Sequence, residues 1–140
     1  MISKYIPTFM SAIILSSIAY GHCQIPCGIF DDKMRIELMK EHVITIEKSI
    51  NELNKNPNEN QKVRWIVNKE NHANELSEIV TYYFMAQRVK KSSDKYQEKL
   101  NSLHNILVSS MKLKQSDDIS LIKVINIEIE NFENIYLKDN

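Results

Sequence analysis

Between Arg35 and Leu53 the chain reads RIELMKEHVITIEKSINEL. Within it Ile36, Met39, Val43, Ile46, Ile50 and Leu53 recur three and four residues apart, the spacing that stacks side chains on one face of a helix. Lys40, Glu41, Glu47 and Lys48 fall on the other faces, so the segment reads as an amphipathic helix that needs partners to cover its apolar stripe. Upstream, Asp31 and Asp32 can cap its free amides. Downstream, the polar run Asn54-Lys55-Asn56-Pro57-Asn58 contains a proline and ends it.

The same rhythm returns three times. Val63, Ile66, Ala73, Leu76, Val80 and Tyr83 predict a second helix reaching to about Val89. Ser92-Ser93-Asp94 offers a cap for a third, with Tyr96, Leu100, Leu103, Leu107 and Met111 as its seam. After the boundary Gln115-Ser116-Asp117-Asp118, a fourth carries Ile122, Ile125, Ile129, Phe132 and Tyr136. Its many isoleucines suit a strand, but the spacing of three and four is helical rather than alternating. Four amphipathic helices with short connectors predict an all-α, antiparallel up-down four-helix bundle over residues 33–140.

Composition agrees with that reading and narrows the function. The 140 residues include two glycines and three prolines, well under the average usage of about 7% and about 5%. A β-sandwich rich in glycine turns and a glycine-rich phosphate loop are both excluded, because no glycine follows Gly28. Lys and Arg number 18 against 18 Asp and Glu. A nucleic-acid partner is therefore not expected, since duplex binding calls for a basic excess.

Residues 1–21, MISKYIPTFMSAIILSSIAYG, have a different plan. One charge, Lys4, precedes a short apolar stretch that ends in Ala19-Tyr20-Gly21, with small residues where a leader is cut. The stretch is short and rich in Ser and Thr for a membrane span of about 20 residues. Residues 1–21 are thus expected to be a cleaved leader, removed by a peptidase cutting before His22 and leaving no stable membrane anchor. A leader of this plan points to export, periplasmic or extracellular. A prosequence removed without export, leaving a cytoplasmic protein, is the alternative.

Both cysteines follow in His22-Cys23-Gln24-Ile25-Pro26-Cys27-Gly28-Ile29-Phe30-Asp31. A Cys23–Cys27 disulfide is one reading, in an exported helical interaction module. It would close a very small loop and stabilise little by the loop-entropy argument. A tail whose cysteines do nothing is another. The third starts from the cut. A chain beginning at His22 has a free α-amine, followed by the Cys23 amide and thiolate, and Cys27 adds a second thiolate after a turn with Pro26 and Gly28. Amine, deprotonated amide and two thiolates can form a square-planar set, which suits Ni(II) or Cu(II) better than tetrahedral Zn(II). The His22 imidazole can then approach from an axial direction.

This segment, after a cleavable leader and before a four-helix bundle, resembles the metal hook of the nickel-containing superoxide dismutases. The match lies at His22, Cys23, Pro26, Cys27, Gly28 and Asp31, extends to Arg35-Ile36-Glu37, and continues more loosely to Tyr83-Phe84. The resemblance implies an enzyme converting superoxide to dioxygen and hydrogen peroxide by Ni(II)/Ni(III) cycling, with one nickel ion per subunit. It implies that residues 22–32 form the nickel-binding hook, with His22, Cys23 and Cys27 as both metal ligands and catalytic residues. Pro26 and Gly28 would shape the hook, Glu37 would orient the axial imidazole, and the subunits would assemble as a homohexamer.

Three positions depart from the family pattern. His72 stands where a supporting arginine is usual, and could still donate a hydrogen bond. Phe30 replaces a tyrosine: its ring can wall off the site, but it has no hydroxyl to hold water. Gln24 replaces an acidic residue. Phe30 and Gln24 keep a metal-binding family member with altered catalysis as an alternative to the dismutase. His42 and His104 stand alone in their helices, without a partner at metal-ligand spacing, and read as surface or packing residues.

Overall fold

The computed structural model describes residue 26 and residues 28–138. Contacts divide the chain between Phe30 and Asp31 into two units, the second of which is the bundle. Its helices are α1 (Asp32–Asn54), α2 (Glu59–Glu78), α3 (Tyr96–Gln115) and α4 (Ser120–Leu137). A π-helical stretch, Ile79–Arg88, continues α2.

Each helix packs on its neighbour in sequence, and α4 closes the ring against α1. The pairs run antiparallel: Asp32 meets Tyr136 and Lys40 meets Glu133 across α1 and α4, while Ser77 meets Ser110 across α2 and α3. The fold is the antiparallel four-helix bundle that the periodicity predicts. No helix among the described residues is long and apolar enough to cross a membrane.

The α1 seam is buried as read, with Ile36, Met39, Ile46 and Ile50 fully inaccessible. So is that of α4, where Phe132 and Tyr136 join Tyr83 and Phe84 in an aromatic cluster. Phe84 packs edge-on against Phe132 and Tyr136, with ring centroids 4.9 and 5.4 Å away, an arrangement ring quadrupoles favour. Asp31 caps α1, accepting from Met34 N–H at 2.9 Å. Asn58 caps α2, accepting from Gln61 N–H at 3.0 Å.

The two middle helices depart from the reading. On α2 the buried seam begins at Lys69, leaving Val63 and Ile66 exposed. Lys69 occupies the last buried seam position at that end of the helix. Its Nζ donates to Ser116 C=O at 2.8 Å and Asp117 Oδ1 at 2.6 Å, so the α3–α4 connector is latched there and Ile66 lies a turn outside. On α3 the core is supplied by Leu103, Ile106, Ser110 and Leu113, while Met111 is exposed. Ser110 disguised this seam. A small residue is required because its Oγ donates to Ala73 C=O at 3.0 Å, across a close approach of α2 and α3. The residue before α3 is Lys95, in the left-handed region (φ 51°), not Asp94. Ser93 Oγ instead accepts from Lys90 N–H in the turn.

The π-helical stretch was not legible as such. At its entry Ser77 and Thr81 donate their hydroxyls to carbonyls four residues back, which loosens a helical ladder. At its exit Val89 N–H reaches Phe84 C=O, five residues back.

Candidate functional site

His22, Cys23, Gln24 and Cys27 lie outside the described residues. Of the residues predicted to shape the hook, Pro26 and Gly28 are described. Gly28 has φ +78°, the left-handed conformation that glycine adopts freely and L side chains resist. A Cβ there would meet nothing within 4 Å, so the demand for glycine comes from the backbone and not from crowding. Phe30 is exposed.

Where the segment enters α1, Asp32 is the centre of a dense polar cluster. Arg88 donates Nε to Oδ1 and Nη2 to Oδ2, both at 2.8 Å. Tyr83 donates to Oδ1 at 2.6 Å and Tyr136 to Oδ2 at 2.9 Å. Burial alone would raise the Asp32 pKa, but these hydrogen bonds outweigh it and hold the carboxyl below its ordinary range. Burial and the same contact push Tyr136 up to about 12. One carboxylate thus ties the start of α1 to the π-helical stretch and to α4. Arg35 adds a guanidinium 5.1 Å from the Tyr83 ring centroid.

Glu37 lies one turn further along α1, with Oε1 3.0 Å from Lys40 Nζ. That ammonium also reaches Glu133 Oε2 at 2.8 Å, and the bond to Glu133 raises the Lys40 pKa. A carboxylate of defined position is therefore available near the start of the bundle.

His72 is not joined to Glu37 by any hydrogen bond or ion pair among the described residues. Its partner is His42, the Nδ1 atoms lying 2.9 Å apart. This corrects the reading of His42 as a histidine without a partner. The Glu75 Oε2 atom lies 3.5 Å from His42 Nδ1 and 3.8 Å from His72 Nδ1. Burial lowers the His42 pKa, Glu75 opposing, which favours a neutral ring. A signal for this meeting was present in the sequence: His42 and His72 are equally far from Pro57, the middle of the α1–α2 connector. An antiparallel pair brings such positions face to face.

The geometry defines a four-helix bundle preceded by a short cysteine-bearing segment with a left-handed glycine. The family model for nickel-containing superoxide dismutase matches residues 17–140, and the chain belongs to that family. It is accordingly a nickel-dependent oxidoreductase whose substrate is superoxide. Neither a curated protein nor a solved structure matches it.

Proposed function

We propose that the chain dismutates superoxide at a nickel ion, one per subunit, held by residues 22–32 after cleavage before His22. The observation that carries this is the order His22-Cys23-Gln24-Ile25-Pro26-Cys27-Gly28 inside the matched span. The donor set fits the group: the terminal amine and imidazole of His22, the Cys23 amide nitrogen and the thiolates of Cys23 and Cys27 would hold nickel, since nitrogen and thiolate donors suit Ni(II). When bound, nickel supplies a one-electron couple between its divalent and trivalent states, so that one superoxide is oxidised to dioxygen and a second, taking up two protons, becomes hydrogen peroxide.

The chain's own residues prepare that chemistry. The anionic sulfurs of Cys23 and Cys27 donate electron density that brings the trivalent state within reach. Pro26 and the left-handed Gly28 would shape the turn that carries the two sulfurs. Glu37, held by Lys40, would orient the His22 imidazole. His72, which stands where the family has a supporting arginine, turns its Nδ1 to His42. Phe30 limits access to small anions, and the missing hydroxyl alters the rate without abolishing turnover.

Residues 1–21 act as an export leader. Val63, Ile66 and Val67 form an exposed apolar strip on α2 that supports assembly into a homohexamer. Intact mass and metal analysis of the processed protein test the proposal together. A chain starting at His22 with one nickel and reduced thiols is the expected result. Cys27→Ser should leave the bundle folded and abolish superoxide dismutation; retained activity would overturn the ligand set.

A further inference from the structure

The contact between His42 and His72 is a site short of donors. The two imidazoles meet in one hydrogen bond, Nδ1 to Nδ1 at 2.9 Å, and the Glu75 carboxylate beside them receives no short hydrogen bond from either. The three donor atoms, His42 Nδ1, His72 Nδ1 and Glu75 Oε2, form a triangle with sides of 2.9, 3.5 and 3.8 Å. The point equidistant from all three lies about 2.0 Å from each, which is the length of zinc–imidazole and zinc–carboxylate bonds, about 2.0–2.2 Å. His72 and Glu75 stand one turn apart on α2, and His42 faces them from α1. His42 is mostly covered whereas Glu75 is half exposed, so an ion here would have solvent access for its remaining position.

We propose that His42, His72 and Glu75 form a second divalent-metal site, of the zinc class, on the α1–α2 seam and separate from the cysteine hook. Two imidazoles and a carboxylate with one open position are a ligand set that zinc accepts. The ion takes the place of the proton in that hydrogen bond and ties side chains of α1 and α2 together. The site uses none of the hook's sulfur or amine donors, so its occupancy does not depend on the nickel chemistry.

The test uses the full-length chain with the hook disabled by Cys23→Ser and Cys27→Ser, titrated with zinc alone by calorimetry and followed by metal analysis. One bound zinc per chain is expected, with a rise in the thermal unfolding midpoint. Adding His42→Ala or Glu75→Gln should weaken binding about tenfold or more and remove that rise. Glu75 is exposed enough that its replacement leaves the fold intact, so this variant carries the test if His42→Ala fails to fold. Cobalt substituted for zinc should give visible bands of a four-coordinate ion, lost in the Glu75→Gln protein. Zinc affinity unchanged by Glu75→Gln, or no zinc bound by the hook-disabled chain, would overturn the site.

Discussion

Two polar clusters bind α1 to its neighbours, and they are built on opposite principles. Around Asp32, one carboxylate receives four hydrogen bonds from Arg88, Tyr83 and Tyr136, so charge and donors balance. Around His42, two imidazoles and a carboxylate converge with one proton between the rings. The first cluster is complete within the chain and acts as a clamp. The second is rich in acceptors, and a cation completes it. Satisfied polar groups stabilise a fold, whereas groups left short of partners mark where something else binds.

The sharpest way to break that comparison is to remove each centre in turn. Asp32→Asn should cost about 2–4 kcal/mol, because a part-buried guanidinium and two buried hydroxyls lose a charged acceptor at once. The urea midpoint reports it. Tyr136→Phe, which deletes one bond to that carboxylate, should cost about 1–2 kcal/mol by the same measurement. His42→Ala in metal-free protein should cost about 1–2 kcal/mol, for one hydrogen bond and the packing of a mostly covered ring. Equal costs for Asp32→Asn and His42→Ala would mean that the histidine cluster, too, is a structural clamp.

Acid and alkali separate the contributions further. The Asp32 carboxyl is held below its ordinary value of 3.8 in the folded chain. Its stabilisation is therefore present above that value and lost as pH falls through the lower folded one. Tyr136 is raised from 10.0 to about 12, so its contribution is complete below pH 10.0 and lost as pH climbs toward 12. Urea unfolding should show the clamp's contribution as a plateau between these limits, and Asp32→Asn should flatten both flanks. The smallest effect belongs to Glu133→Gln, which leaves Lys40 with Glu37. A partly exposed ion pair of this kind is worth about 0.2–1 kcal/mol.

Legibility followed how local each cause is. Asp31 could be assigned as a cap because a cap is satisfied within three residues, whereas Asn58 reads only as part of a polar break. The stripes of α1 and α4 could be read because nearly every buried position is apolar, Ser49 being the exception. The α3 seam could not, since Ser110 is small and polar for the sake of a contact with Ala73 on another helix. Lys69 reads as a solvated charge in isolation, yet it is buried against the α3–α4 connector. The proposed hook is a reading of sequence pattern alone, since its donors lie within six consecutive residues, outside the described ones. The meeting of His42 with His72 and Glu75 left only a faint mark, the equal distance of the two histidines from Pro57, because it joins residues of two different helices.

The order of amino acids by itself determined that the chain is four amphipathic helices behind a short cysteine segment. Helical periodicity, caps and cysteine spacing act over a few residues and need no knowledge of what lies opposite. Only the tertiary structure decided that Asp32 would gather Arg88, Tyr83 and Tyr136, and that His42 would meet His72 and Glu75. Those meetings depend on how the antiparallel helices are rotated and aligned. Packing sets that register through close contacts such as Ala73 with Ser110.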